Sequence, residues 1–162
     1  MGSKTISINR DVSVQRMLRL DAPDNLLING FDSLWKCHAM LQSRLSSTDR
    51  HDIRIHLRPE LLNANAEQYA QFARDGLKIW VWQDDPASDF RPSSNVTVVN
   101  TPHAPATAEG FLVINTPSWS RVLAAWIDED GNLAGVLVTN PQTIDEVSSY
   151  LDAMVQSASV RT

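Results

Sequence analysis

Residues 111–155, FLVINTPSWSRVLAAWIDEDGNLAGVLVTNPQTIDEVSSYLDAMV, decide the fold of this chain. The stretch reads as strand, short turn, strand, tight turn, strand, an Asn-Pro break and an amphipathic helix. Residues 122–127 and 133–138 flank Asp128-Glu129-Asp130-Gly131-Asn132, where Asp-Gly supplies the positive φ of a hairpin. Residues 143–146 (TIDE) have the form of a capping box that opens the last helix. Ile144, Val147, Tyr150, Leu151, Met154 and Val155 recur at helical spacing and face inward.

Working back toward the N-terminus, the pattern alternates strands with helices. Residues 25–29 (NLLIN), closed by Gly30, form a compact apolar run that predicts a buried strand. Over 31–45, Phe31, Leu34, Trp35, His38, Leu41 and Leu45 predict a helix. Residues 53–57 (IRIHL) alternate as a half-buried strand stopped by Pro59. Asn65 is placed to cap a helix over 65–75, with Gly76 as its left-handed stop. Residues 77–82 (LKIWVW) and 96–99 predict further strands, and Trp80 and Trp82 share one sheet face. Residues 5–8 alternate as a short strand or extended arm, and Asp11 is positioned to cap a short helix through Leu20. The expected fold is α/β, a single domain with a central mixed sheet of about six strands covered by helices at 31–45, 65–75 and 143–155. It divides into an N-terminal arm and short helix (1–24), the α/β domain (25–156) and a flexible tail (157–162).

A chain of 162 residues is large enough to bury a core in one domain. With 20% charged residues and 43% hydrophobic ones, it is composed as a soluble globular protein rather than a disordered one. A net charge of −5, with no basic run of four, argues against a surface built for nucleic acid or anionic membrane. The single cysteine, Cys37, excludes an intramolecular disulfide and fits a reducing, cytoplasmic setting. No apolar run has the length of a membrane span. The myristoylation pattern begun by Met1-Gly2 fails at Ile6.

Two segments carry a family likeness. Residues 49–82, DRHDIRIHLRPELLNANAEQYAQFARDGLKIWVW, resemble the second strand, second helix and third strand of the phospholipase D-like sensor domains of TrmB-type sugar-responsive regulators. Residues 111–151 are similar to the end of bacterial DICT sensory domains, in which a T-(N/D)-P step, here Thr139-Asn140-Pro141, leads into the final helix. The resemblance implies a non-catalytic input module attached to an output domain.

Candidate chemistry is sparse. His56, Arg58 and Asn63 imitate the spacing of the phospholipase D motif, His-x-Lys-x4-Asp. Arginine replaces the lysine, asparagine replaces the acid, and the motif occurs once. An outward-facing His56 on a strand is the simpler reading. Cys37-His38 lies on an apolar helix face and reads as core. Cys37 and the four histidines (His38, His51, His56, His103) lack metal-ligand spacing, so neither metal nor cofactor is expected. Ser118 and Ser120 lack a nucleophile elbow. Asp84 and Asp85 follow a strand end in the acidic loop 83–94, where α/β folds place functional carboxylates. A solvated loop is the plainer account of them. His103 lies in the second long loop, 101–110.

Five tryptophans are many for this length. They serve either to pack helices on the sheet or to wall a pocket or partner surface. Trp119, in the Thr116-Pro117 turn, is expected to be the most exposed. The candidate ligand- or partner-binding residues are Trp119, Trp82, Asp84, Asp85 and His103, with no catalytic residue. The leading function is a non-enzymatic sensory or regulatory domain that binds a small ligand or a signalling protein partner, acting through its loops or a homodimer contact. The alternative is an adaptor or immunity-type protein that presents its acidic loop to a basic partner. A hydrolase or nuclease ranks third. Nucleic acid and membrane are excluded as partners.

Overall fold

Alternating apolar residues in every predicted strand segment are drawn into one sheet. The computed structural model describes residues 4–10, 12–19, 22–83, 89–101 and 108–160. In chain order the elements are β1 (Lys4–Ser7), a 3-10 turn (Gln15–Met17), β2 (Leu26–Asn29), α1 (Phe31–Ser47), β3 (Arg54–Arg58), α2 (Ala66–Arg74), β4 (Lys78–Gln83), β5 (Val96–Asn100), β6 (Glu109–Asn115), β7 (Ser120–Ile127), β8 (Leu133–Val138) and α3 (Pro141–Val160). The α/β class stands, with eight strands rather than about six, because even four-residue segments such as β1 and β2 find a ladder partner.

The strand order is β1-β5-β4-β3-β6-β7-β8-β2. From β1 to β3 the pairing is parallel, and from β3 onward each pair is antiparallel. Hairpin connections make two of the antiparallel pairs, β6–β7 and β7–β8. The β7–β8 turn has Gly131 at φ 82°, with the Asp128 carboxylate accepting from the N–H groups of Asp130 and Asn132. In the parallel half, β3 and β4 are joined through α2, as a crossover requires.

Each face of the sheet carries its own core. On one face α1 and α2 set Leu34, Leu41, Leu45, Tyr69 and Phe72 against Ile55, Leu57, Ile79, Val81, Leu112 and Leu123. On the other, α3 and the segment after β1 set Val147, Leu151, Ile8 and Val14 against Trp82, Phe111, Val113 and Val122. Because both faces are covered, residues 55–58 of β3 are all buried rather than half-buried.

Three local expectations are corrected. The last helix starts before its TIDE box. Asn140 caps it, accepting from Thr143 N–H at 3.1 Å, and Pro141 takes the first helical position, where its missing N–H costs nothing. The helix expected over 11–20 shrinks to a 3-10 turn, since the buried Glu109 carboxylate takes the N–H of Val14 (2.7 Å) and the hydroxyl of Ser13 (2.7 Å). His56 is inward, not outward. By contrast, α2 is capped as read: Asn65 accepts from Glu67 N–H at 2.9 Å, and Gly76 has φ 108°. Among the described residues, no helix is long and apolar enough to cross a membrane.

Candidate functional site

Trp119 closes the turn between β6 and β7. Thr116 shapes that turn from both ends. Its Oγ1 accepts from Trp119 N–H (2.9 Å) and donates to the Trp119 carbonyl (2.7 Å), while its N–H bonds the same carbonyl (3.0 Å). Pro117 fits such a turn because it needs no N–H there. The indole is half-buried, not the most exposed of the five; that is Trp35, at 39%. Its Nε1–H donates to Thr48 Oγ1 at the end of α1 (3.1 Å), and the Arg44 guanidinium lies over its ring at 4.2 Å. Two side chains from the end of α1 therefore clasp the turn, and Thr48 is itself held by donating to the Arg44 carbonyl (2.6 Å).

Two depressions share this rim. One, of about 430 Å³, lies between the turn and the start of α3, with Arg44, Ser118, Arg121 and Thr139 in its wall. The second, of about 480 Å³, lies between the turn and the end of α1, with Arg44, Thr48, His51 and Trp119 in its wall. Both volumes suit a small ligand. Among the described residues neither Arg44 nor Arg121 makes an ion pair. Burial and the neighbouring charge of Arg44 lower the Arg121 pKa from its ordinary value, yet a guanidinium stays protonated at neutral pH. The arrangement can hold a planar or polar group against the indole and neutralise negative charge beside it.

The other candidates fall elsewhere. Trp82 is fully buried on the opposite face from Trp119, its indole N–H donated to His56 Nδ1 (3.0 Å). Asp84, Asp85 and His103 lie outside the described residues. His56 bonds Asp152 Oδ1 through Nε2 at 3.0 Å. With Nδ1 accepting from Trp82, Nε2 must be the donor, which fixes a neutral tautomer. Burial lowers the His56 pKa, against the raising effect of Asp152. The hydrogen bond from His56, assisted by Arg54 at 3.1 Å, holds the Asp152 carboxyl below its usual range. Both ring nitrogens are thus engaged. Arg58, the second residue of the phospholipase D-like spacing, is buried under the N-terminal segment, with Nη1 donating to the Val12 carbonyl (3.1 Å). His38 Nε2 pairs with the Tyr69 hydroxyl at 2.7 Å between α1 and α2. Burial pushes the Cys37 thiol up. Among the described residues, no group of three or more His, Cys, Asp or Glu could hold a metal ion.

The reading of the sequence missed Arg44 and Arg121. Arg121 stands two residues after Trp119 and so offered a signal, whereas Arg44 comes from another element and offered none.

The fold is one mixed sheet covered by helices, of the α/β class. No family model matches the chain, and no curated protein matches it. Among solved structures it is similar to TrmBL2, an archaeal chromatin protein whose structure is described as showing a novel mode of DNA binding. The TM-score is 0.51 at 10% identity, over 86% of this chain and 57% of that one. The chain spans little more than half the length of this neighbour, and the likeness is one of fold. No family model confirms the expected DICT domain.

The exclusion of nucleic acid from the partners is corrected here, because a protein of similar fold is described as binding DNA. A net charge of −5 sums the whole surface and does not preclude a local cationic site such as Arg44 with Arg121.

Proposed function

We propose that this chain is a non-catalytic regulatory domain whose contact point for a small ligand is the Trp119 turn. One observation carries the reading. A half-buried indole on the rim of two ligand-sized depressions is fastened to α1 by Thr48 and Arg44, and one depression also reaches the start of α3. A ligand seated there touches both elements, so it can favour one relative placement of them over another. The engagement of both His56 nitrogens supports the non-catalytic part of the reading. The description of TrmBL2 supports a regulatory role in a setting where DNA is a partner. The single cysteine, free in this structure, supports a cytoplasmic one.

The test is a ligand screen by calorimetry on the wild type and Trp119→Ala, with the folded state of both checked by circular dichroism. Ligands bound by the wild type should lose at least about tenfold in affinity in the variant, the scale of one aromatic contact. Equal binding by the two proteins would reject the turn as the site.

A second reading, a protein-interaction surface, is favoured by a separate observation. Leu26, Leu27, Phe31, Trp35 and Met40 on β2 and α1 are exposed, with Leu26 at 60%. Apolar groups left in water at a sheet edge and its neighbouring helix are a common mark of a partner surface. Leu27→Asp would abolish a complex formed there and leave ligand binding at Trp119 unchanged.

A further inference from the structure

Two guanidinium groups, one exposed and one half-buried, open into one concavity, and among the described residues neither has a carboxylate partner. Arg44 leaves α1 and lies over the Trp119 ring; Arg121 leaves β7. Both line the 430 Å³ depression, and their charges oppose each other there. One donor of Arg121, Nη1, is spent on the Ser120 carbonyl at 2.7 Å. Among the described residues, the remaining donors of the two forks have no hydrogen-bond partner. Ser118 and Ser120 add hydroxyl groups to the same wall, while the Thr139 hydroxyl donates to the Asp24 carbonyl (3.3 Å). Asp145 also lines the depression and makes no ion pair with either arginine.

We propose that the depression between Arg44 and Arg121 is an oxyanion site that takes the phosphate group of a small ligand, with the rest of the ligand lying along the Trp119 turn. The proposal rests on the Trp119 reading above and adds the chemical class of the ligand. A tetrahedral oxyanion offers several acceptors at once, which suits two guanidinium forks ringed by hydroxyl donors better than a neutral group does. Binding it relieves the repulsion between the two arginines. It also draws the end of α1 toward β7, because Arg44 is on one and Arg121 on the other.

The experiment follows the Trp119 indole N–H by NMR while inorganic phosphate, glucose 6-phosphate, glucose and a single-stranded DNA oligonucleotide are added in turn. Glucose 6-phosphate should move this resonance saturably, and inorganic phosphate should compete with it. Arg121→Gln should weaken binding about tenfold or more, the scale of a charge-assisted hydrogen bond. Arg44→Lys keeps the charge but loses the planar fork, and should also weaken binding. Glucose binding as tightly as its phosphate would overturn the oxyanion site while keeping the Trp119 turn. A shift caused by the oligonucleotide alone would overturn the small ligand as occupant. A phosphate ligand that binds without moving the indole resonance would overturn both the oxyanion site and its place at the turn, and one that moves it but binds equally to Arg121→Gln would overturn the oxyanion site alone. No response to any of the four would overturn the oxyanion site alone.

Discussion

Gly110→Ala gives a sharp test of the packing between β6 and the turn after β3. A Cβ built on Gly110 falls within the van der Waals shell of the Glu60 carbonyl oxygen, with the Glu60 carbonyl carbon at 2.9 Å and the Arg58 carbonyl oxygen at 3.4 Å. These are backbone atoms, so no side chain can rotate away. Strand β6 cannot retreat either, since Phe111 is in register with Arg58 on β3 and Gly110 with Ala125 on β7. The turn 59–62 must give way instead. Restoring ordinary contact moves the Glu60 carbonyl carbon by at least roughly half an ångström. That turn also carries the fully buried Leu62 and the Leu61 carbonyl that accepts from Trp35 Nε1–H (3.1 Å). Overpacking of this kind costs about 3 kcal/mol, which in a domain of this size lowers Tm by roughly 6–12 °C. Gly135→Ala is the graded comparison. Its Cβ would meet the Ala124 carbonyl oxygen at 2.9 Å and otherwise only side-chain atoms at 3.4 Å and beyond, so about 1–2 kcal/mol is expected. Urea unfolding followed by tryptophan fluorescence measures both. If Gly110→Ala unfolds within about 0.5 kcal/mol of the wild type, the close approach of Glu60 to β6 is refuted.

Four further outcomes are expected. Asn65→Ala should cost about 1 kcal/mol in the same assay through loss of the α2 cap, and a neutral result would mean that water replaces it. The Asp152 carboxyl is held low, so its contribution to stability is present above about pH 4 and lost as pH falls through the folded value. Asp152→Asn should flatten that acid limb. His56 is also held low, so the unfolded chain takes the proton first. Stability should therefore fall as pH drops below about 6.5, and His56→Gln should reduce that slope. The Cys37 thiol, half-buried and pushed up by burial, should react with a disulfide reagent slowly when native and much faster in urea.

What could be read from the sequence was local. Helix α1 follows from the spacing of Leu34, Leu41 and Leu45, the α2 cap from Asn65, and the β7–β8 hairpin from Asp128 and Gly131, because each signal lies within a few residues of its effect. What escaped depended on distant partners. Glu109 replaces a local cap for residues 95 positions away, and α3 over β3 turns His56 inward to Asp152. The start of α3 was misplaced because Asn140-Pro141 and the TIDE box are both good openings, and the earlier one prevails. Trp119 stood out as an aromatic in a proline turn. The arginine that sits on it could not be found without knowing that the end of α1 meets the β6–β7 turn.

Both outer strands of the sheet, β1 and β2, come from the first 29 residues of the chain, yet they close opposite margins, against β5 and β8. During synthesis these strands leave the ribosome well before their partners and are among the last to find their places. β1 must wait for residue 100, and β2 for residue 138. Until then the growing chain carries the apolar Leu26–Asn29 segment without a neighbour, and the finished antiparallel hairpins show an open margin at β8. A chain cut just after Asn29 would bare both margins at once. Its expected fate is sheet-to-sheet association rather than a smaller stable domain.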